Sequence, residues 1–334
     1  MGLIIFMEKV LVTGGAGFIG SHIVDELLAL GYEVVVLDDL SGGFTDNVNS
    51  KATFVEGSVV DHELVDKIFA DHKIDYVFHL AAYAAEILSP HIRRFNYMVN
   101  LVGSANLINA SVNNKVKCFV FTSSIGVYGN QKPPFDEKTV PVPADPYGTS
   151  KYAVEIDLKN AKDLFGLNYI IFRPHNVYGE RQNLGDKYRN VLGIFMNQIM
   201  QGKTLTIFGD GEQTRAFSYI GDMAKVMASS ISVKEAYNEI FNIGADKAYS
   251  INELAKEIMK SMNKEVKMNY LETRHEVKHA FSSHDKIKKV FKGMQNTSLQ
   301  EGIAKMSEWA KSAGIRESKP FENIEVREHL PEGW

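Results

Sequence analysis

The sequence predicts an α/β protein in which a doubly wound parallel sheet carries a smaller α/β lobe. Three observations indicate this fold. Short aliphatic runs alternate with helical patterns from residue 9 to residue 172, the first two runs enclose a glycine-rich turn, and the alternation changes after residue 173. Alternating strands and helices form parallel sheets that helices cover on both faces.

The first unit of this sheet opens the chain. Residues 10–12 (Val-Leu-Val) are too few for a helix and are followed by glycines, as expected for a strand buried on both faces. Apolar residues then recur at helical spacing from Ile19 to Leu30, and Gly31 ends the helix. A second aliphatic run ends in Asp38. Strand, glycine turn, helix, strand and acid together are the βαβ unit of a Rossmann-type dinucleotide-binding domain.

Each glycine of the turn has a distinct physical task. Gly14 allows the tight turn, Gly17 lets the backbone approach a pyrophosphate, and Gly20 lets the helix pack closely on the strand. The N–H groups at the start of the helix then face the phosphates. Asp38 is placed to accept the ribose hydroxyls and would repel a 2′-phosphate, so we expect NAD rather than NADP.

The composition excludes several classes of function. The chain has 334 residues, 45% of them hydrophobic and 23% charged, with a net charge of −4, so no basic bias indicates nucleic acid. Its one cysteine, Cys118, lies in an apolar strand-like run, so we expect neither disulfides nor a metal site. Residues 2–7 are apolar but too short to span a bilayer, and without a charged leader we expect a cytoplasmic protein with no membrane partner.

The later elements continue the pattern and then change it. Strands are predicted at 53–55, 76–79, 117–122 and 169–172, and helices at 61–70, 92–113 and 147–165. Beyond residue 173, we predict helices at 191–201, 222–233, 252–262 and 299–312 and a strand at 205–208. We therefore predict an NAD domain over 1–174, to which segments near 212–245 return, and a substrate lobe over 175–320. No role is predicted for the polar tail, 321–334.

The predicted catalytic group is Ser124, Tyr147 and Lys151. A Tyr and a Lys four positions apart share one face of a helix, so the ammonium can lie near the phenol. The neighbouring Lys⁺ and the positive nicotinamide ring of NAD⁺ both favour phenolate and lower the pKa of Tyr147 from its usual value toward that of a usable base. Ser124 follows a predicted strand, where its hydroxyl can bond the same reacting oxygen.

The motifs resemble those of the extended short-chain dehydrogenases/reductases, and within them the nucleotide-sugar epimerases of the UDP-glucose (UDP-galactose) 4-epimerase type. The resemblance covers residues 8–309. It rests on Thr13-Gly-Gly-Ala-Gly-Phe-Ile-Gly20, His79-Leu-Ala-Ala82, Thr122-Ser-Ser-Ile-Gly-Val-Tyr-Gly129, Tyr147-x-x-x-Lys151, Arg173-Pro-His-Asn-Val-Tyr-Gly179 and Ile207-Phe-Gly-Asp-Gly-x-Gln-Thr-Arg215.

This resemblance implies two sets of binding residues. The cofactor set is Gly14, Gly17, Phe18, Ile19, Asp38, Asp39, Leu40, Ser41, Gly42, Gly43, Ser58, Val59, Leu80, Ala81, Ala82, Asn100, Tyr147, Lys151 and His175. The nucleotide-sugar set is Ser124, Asn176, Asn190, Thr206, Phe208, Arg215, Arg274 and Glu276. The two arginines would hold the diphosphate, since guanidinium groups bind phosphate oxygens well.

The resemblance also implies the chemistry. Tyr147 would take the proton of the sugar 4-hydroxyl while the C4 hydride passes to NAD⁺. The 4-keto sugar would turn about its diphosphate and recover the hydride on its other face, so NAD would be tightly held and recycled. Relatives dimerise through helices that correspond to 92–113 and 147–165, so we expect a homodimer.

Departures from the motifs separate the neighbouring activities. The 4,6-dehydratases carry Asp-Glu directly after the catalytic hydroxyl residue, whereas Ile125-Gly126 follows Ser124. Some related enzymes use a cysteine two positions after that hydroxyl residue, whereas this chain has Gly126 there. Uronate epimerases carry Arg-Gln-Arg in the loop after the strand, whereas this chain has Arg181-Gln-Asn183. Two alternatives remain open: another nucleotide-sugar epimerase, such as a CDP-sugar 2-epimerase, and a non-catalytic NAD-binding regulator. Ala280 lies near a position that is bulky in enzymes restricted to glucose and galactose, so N-acetyl sugars are possible substrates.

Overall fold

The computed structural model describes residues 7–273, 278–317 and 321–330. Its strands in chain order are β1 (Lys9–Thr13), β2 (Glu33–Asp38), β3 (Thr53–Glu56), β4 (Tyr76–His79), β5 (Cys118–Thr122), β6 (Tyr169–Pro174), β7 (Val177–Tyr178), β8 (Leu205–Phe208), β9 (Thr214–Ala216), β10 (Ser218–Tyr219), β11 (Glu239–Ile243), β12 (Ala248–Ser250), β13 (Met268–Leu271) and β14 (His279–Ala280). In this part of the chain seven strands form one parallel sheet in the order β11-β6-β5-β4-β1-β2-β3. The predicted fold class is confirmed.

Helices cover both faces of this sheet. The helices of the described chain, in the sheet unit and the smaller lobe together, are α1 (Phe18–Ala29), α2 (His62–His72), α3 (Arg93–Tyr97), α4 (Gly103–Asn113), α5 (Pro146–Phe165), α6 (Val191–Met200), α7 (Ile220–Ser229), α8 (Ile251–Met262), α9 (Asp285–Val290) and α10 (Leu299–Ala313). Helices α1 and α7 pack together on one face, and α2, α4 and α5 pack on the other.

The strand sequences explain why both faces are buried. Val10 and Val12 of β1 belong to the core beneath α1 and α7, whereas Leu11 belongs to the core beneath α2, α4 and α5. All three side chains are fully buried. Because side chains alternate along a strand, a run of consecutive aliphatic residues supplies both cores at once.

The winding of the sheet reverses beside β1. This strand pairs with β2 on one side and with β4 on the other. Such a reversal leaves a crevice at the carboxyl ends of the two strands, where open α/β sheets bind ligands. The glycine turn begins at this point, directly after Thr13.

The second half of the chain is divided between the sheet and a smaller lobe. Strands β8 and β13 pair, as do β9, β12 and β14, and helices α6, α8 and α10 bury a separate apolar core against them. Within the stretch 212–245, β9 lies in this lobe, whereas α7 and β11 lie in the main sheet unit. The chain thus leaves the main sheet after β6, builds part of the lobe, and returns to the sheet to add β11 beside β6.

The helix predicted at 92–113 has an irregular centre. Between α3 and α4, residues Met98–Val102 form a π-helical turn. The buried Asn100 lies in this turn, and its side chain binds both the N–H and the C=O of Tyr83, at 2.8 and 3.1 Å. A wider turn of this kind is common at functional sites, and here it ties the helix to the segment that follows β4.

The tail, to which the sequence assigned no role, docks on the helix N-terminus of α3. The carboxylate of Glu325 accepts the N–H groups of Arg94 and Phe95 at 2.8 and 3.1 Å, which replaces a local cap. The ring of Phe321 lies 5.0 Å from that of Phe95 and 5.4 Å from that of Tyr83.

Among the helices of the described residues, none has the length and apolar character needed to cross a bilayer.

Candidate active site

A cavity of about 800 Å³ opens at the carboxyl ends of the parallel strands. Its walls include the glycine turn after β1, the start of α5 and residues of the smaller lobe. This volume lies within the range of small-molecule and cofactor sites. The position agrees with the crevice that the strand order predicts.

The glycine turn brings backbone close to the cavity. Gly14 has a φ of +73°, which favours glycine, and a Cβ atom at Gly20 would lie 2.0 Å from the carbonyl oxygen of Gly14. Helix α1 begins after Gly17 without a side-chain cap, and Gly17, Phe18 and Ile19 all line the cavity. The uncapped N–H groups suit the phosphates of a dinucleotide.

Asp38 lies at the end of β2 on the cavity wall. Its carboxylate accepts the N–H of Ala16 and that of Leu40, each at 2.9 Å. Burial raises the pKa of Asp38 above its usual value, although these two hydrogen bonds oppose the shift. Each carboxylate oxygen still has a lone pair for a ribose hydroxyl, so the residues present fit NAD.

Most of the predicted cofactor residues line this cavity. Those that do are Gly14, Gly17, Phe18, Ile19, Asp38, Asp39, Ser41, Gly42, Gly43, Val59, Leu80, Ala81, Ala82, Tyr147, Lys151 and His175. Leu40, Ser58 and Asn100 are not among its lining residues. Asn100 instead holds Tyr83, as described above, so its contact with the cavity is indirect.

Ser124, Tyr147 and Lys151 all line the cavity. Asp145 caps α5 by accepting the N–H of Gly148 at 2.9 Å, which places Tyr147 in the first turn of the helix. Ser124 lies close enough to Tyr147 for its hydroxyl to act on the pKa of the phenol. Lys151 lies one turn further along, with Nζ 5.9 Å from the centre of the Tyr147 ring. The spacing of these residues therefore brings them together.

The groups of the protein itself shift the pKa of the Tyr147 phenol; the lowering that the sequence predicts depends also on the charge of NAD⁺ and stays a prediction. Burial raises this pKa above its ordinary value, and Ser124 only partly opposes the shift. The pKa of Lys151 is lowered to about 7, again by burial, with Glu155 acting in the opposite direction. A phenolate at Tyr147 therefore needs further positive charge in the cavity, such as the ring of NAD⁺.

His175 belongs to a buried chain of imidazoles. Its Nε2 lies 3.0 Å from Nε2 of His284, whose Nδ1 lies 2.7 Å from a carboxylate oxygen of Asp246. Burial lowers the pKa of His175 to about 3, so this ring is neutral near pH 7. The sequence pointed to His175 but gave no sign of His284 or Asp246, which lie far along the chain.

The predicted nucleotide-sugar residues of the described chain also line the cavity. They are Ser124, Asn176, Asn190, Thr206, Phe208 and Arg215. The Arg215 guanidinium donates to the carbonyl oxygens of Thr214 and Lys278 at 2.9 and 3.0 Å, which fixes part of its orientation. Arg274 and Glu276 lie outside the described residues, so their assignment stays a prediction.

Sequence reasoning missed Arg189, a cation of the cavity wall. The Arg189 guanidinium lies 5.0 Å from the centre of the Tyr83 ring and forms an ion pair with Asp186. All three residues line the cavity. The only sequence signal is a cluster of charged residues before α6, and such clusters are usually solvated surface.

Comparison with known proteins identifies the family. Residues 10–244 match the model of the NAD dependent epimerase/dehydratase family. The chain is 42% identical, over 248 residues, to a putative UDP-glucose 4-epimerase of Methanocaldococcus jannaschii. The aligned region covers 73% of this chain and 79% of that protein.

Two solved structures are similar over nearly the whole chain. A UDP-glucose 4-epimerase of Thermotoga maritima, determined with UDP-glucose, has a TM-score of 0.87 at 35% identity and covers 91% of this chain and 99% of that one. A UDP-N-acetylglucosamine 4-epimerase of Methanobrevibacter ruminantium, in complex with UDP-N-acetylmuramic acid, has a TM-score of 0.86 at 32% identity and covers 92% and 99%. With the glycine turn and the Ser-Tyr-Lys group in place, the chain belongs to the NAD-dependent epimerase/dehydratase family and is an NAD-binding enzyme of that family.

Proposed function

We propose that this enzyme inverts C4 of a UDP-hexose, with UDP-glucose and UDP-galactose as its substrates and their N-acetyl forms as further candidates. One observation carries the proposal: Ser124, Tyr147 and Lys151, the last two on one helix face, lie in the cavity that the glycine turn also lines. The names and bound ligands of the similar proteins support a UDP-sugar.

Each residue of the group has a definite task in this reaction. The Tyr147 oxygen accepts the proton of the sugar 4-hydroxyl and later returns it, while the Ser124 hydroxyl orients the same oxygen. The Lys151 ammonium favours the phenolate form of Tyr147 through its charge. NAD, when bound, supplies reversible oxidation at C4, so the sugar passes through a 4-keto form that can be reduced on its other face.

The lobe would hold the rest of the substrate. Arg215 is a cation on the cavity wall, and its fork geometry suits the oxygens of a diphosphate. Asn176, Thr206 and Phe208 offer polar and apolar contacts beside it. A sugar anchored through its diphosphate can turn over without leaving the cavity, which inversion at C4 requires.

The loop after β5 supports an epimerase over a dehydratase. Ser124 is followed by a short 3-10 turn, Ile125–Tyr128, in which its Oγ accepts the N–H of Gly126 at 3.0 Å. Neither Ile125 nor Gly126 carries a group that can donate or accept a proton. Loss of water from the sugar would need such an acid and base, whereas C4 inversion, besides the reversible oxidation, needs no proton exchange other than that at Tyr147.

Product analysis tests the proposal directly. The purified holoenzyme is incubated separately with UDP-glucose, UDP-N-acetylglucosamine and CDP-sugars, and the products are identified by NMR. We expect the C4 epimer of at least one UDP-hexose. Turnover of a CDP-sugar at C2 alone would assign the second epimerase activity, and bound NAD without turnover of any sugar would favour a regulatory protein.

We further propose that the enzyme is a homodimer joined through the helices that include α4 and α5. Exposed apolar side chains of α5 support this proposal: Leu164 and Phe165, adjacent at the end of the helix, are 72% and 67% exposed, and Ile156 is 42% exposed. Large exposed apolar side chains that lie together, as Leu164 and Phe165 do, are typical of interfaces. Light scattering should give twice the chain mass for the wild type, and Leu164→Glu should shift it toward monomer.

A further inference from the structure

Glu155 lies at the centre of a buried polar cluster behind the candidate catalytic residues. Its side chain is fully buried, and Arg173 beside it is 2% exposed. The guanidinium holds the carboxylate with two bonds, Nε to Oε1 at 2.9 Å and Nη2 to Oε2 at 2.5 Å. Oε1 also accepts the hydroxyl of Ser123 at 2.5 Å. One carboxylate therefore joins α5 to the ends of β5 and β6.

The guanidinium is held on its other side as well. Nη1 of Arg173 donates to the Tyr128 hydroxyl at 2.7 Å, and this hydroxyl donates to Oδ1 of Asn242 at 2.8 Å. Bidentate contact and a third partner leave the pair little freedom. The position of the Glu155 carboxylate is therefore set from three elements of the main sheet unit.

This carboxylate faces the candidate catalytic group from its own helix. Glu155 lies one turn beyond Lys151 on α5, and the two residues share a face. Lys151 Nζ donates to the carbonyl oxygen of Thr122 at 2.8 Å, while Glu155 binds Ser123. The two side chains thus hold consecutive residues of the strand end that leads into Ser124.

The charge of Glu155 also bears on Lys151. The Lys151 ammonium is 3% exposed, so loss of water disfavours its charged form, and Glu155 is the charged group that favours it. The groups that face Lys151 from other elements are His79 of β4, which burial keeps neutral, and the Phe121 ring of β5 at 4.8 Å. The Tyr147 phenol lies on the same helix.

We propose that Glu155, clamped by Arg173, is a positioning residue for the candidate catalytic group. It fixes the strand end that carries Ser124, and its negative charge holds Lys151 as an ammonium beside Tyr147. This inference rests on the proposed function, because it assigns a role within the same site. An ion pair that serves the fold alone can often be replaced by apolar side chains without loss of stability. Such a replacement would then leave the titration of Tyr147 unchanged, whereas a positioning role predicts a shift.

The test is Glu155→Gln in the NAD-bound enzyme. Glutamine keeps the shape and removes the charge, so Lys151 loses its ammonium over the working range and Tyr147 ionises at higher pH. We expect the tyrosinate absorbance assigned to Tyr147, by difference from a Tyr147→Phe enzyme, to shift upward by about one pH unit or more. The acid limb of kcat should shift equally, with about a tenfold loss of kcat below it.

Asp163→Asn is the matched control, because Asp163 is an exposed acid on the same helix. It should leave both titrations in place. Should Glu155→Gln fail to fold, the double variant Glu155→Leu/Arg173→Met replaces the pair with apolar side chains and should give the same upward shift.

Each outcome decides the inference. No shift in a folded variant, or a failure of both variants to fold, would assign the pair to fold stability alone and overturn it. The tyrosinate titration needs no sugar. It therefore tests the inference even where the wild type turns over no nucleotide sugar, a result that would count against the proposed function instead.

Discussion

The ammonium of Lys151 lies 5.9 Å from the centre of the Tyr147 ring and donates to the carbonyl oxygen of Thr122 at 2.8 Å. Lys151 is thus tied to the strand end, and its proposed action on Tyr147 is through its charge, whereas Ser124 acts on the pKa of the phenol directly. The two proposed influences on Tyr147 are separate, and each can be removed alone.

Tyr147→Phe should retain NAD and lose nearly all epimerisation, by about a hundredfold or more, because the ring still fills its buried site but no oxygen exchanges the proton. Bound cofactor released on denaturation and product formation measured by NMR check the two halves of this prediction. Tyr152→Phe, one position beyond Lys151 on α5, is the control and should leave activity near the wild-type level. Substantial residual activity in Tyr147→Phe would remove Tyr147 as the base.

Gly20→Ala should destabilise the NAD domain and lower its NAD content. The added Cβ would lie 2.0 Å from the carbonyl oxygen of Gly14, so α1 and the turn must separate. We expect a loss of about 1–3 kcal/mol in the free energy of unfolding. Gly193→Ala in α6 is the control, because its Cβ would meet Gln182 at an ordinary 3.5 Å and alanine favours helix. Equal urea midpoints for the two variants would contradict the prediction.

Stability should fall on the acid side of neutrality because of buried neutral histidines. Burial lowers the pKa of His79 and that of His175 to about 3. The unfolded chain takes up protons first, so this contribution to stability is full above about pH 6.5 and is lost as the pH falls toward 3. At pH 5 each of these two histidines should lower the free energy of unfolding by roughly 2 kcal/mol relative to neutral pH.

Urea unfolding of His79→Gln at pH 7.5 and at pH 5 measures how much of the acid-induced loss of stability comes from His79. The His79 ring lies between the hydroxyls of Thr13 and Ser104, at 2.7 and 2.8 Å, which an uncharged amide can also contact. The variant should lose less stability between the two pH values than the wild type does. An unchanged difference would exclude His79 as a source of the acid sensitivity.

Ala280→Tyr should separate the two classes of sugar. Ala280 lines the cavity on β14, where its backbone pairs with Arg215 of β9. A bulky side chain there would fill space that an N-acetyl group needs. We expect kcat/KM for UDP-N-acetylglucosamine to fall about tenfold or more while that for UDP-glucose changes little. Ala280→Ser keeps a small side chain and serves as the control; equal losses on both sugars would show that position 280 does not discriminate between them.

Several features of the site were readable from the sequence because their signals are local. The glycines of the turn, Asp38 and the pair Tyr147 and Lys151 depend on spacings within one βαβ unit or one helix turn, and the structure brings each set to the cavity. Leu40, Ser58 and Asn100 are not among the residues that line the cavity, and their assignment to the cofactor stays a prediction.

The doubly wound sheet, the cofactor and the candidate catalytic group can be predicted from the sequence, since strand and helix periods and short motifs act over a few residues. The partners that surround that group follow from the tertiary structure. Glu155 and Arg173 are 18 residues apart, and His175 and His284 are 109 apart, in elements that meet through packing. It also decided the raised pKa of Tyr147, because burial depends on all the elements that exclude water from the phenol.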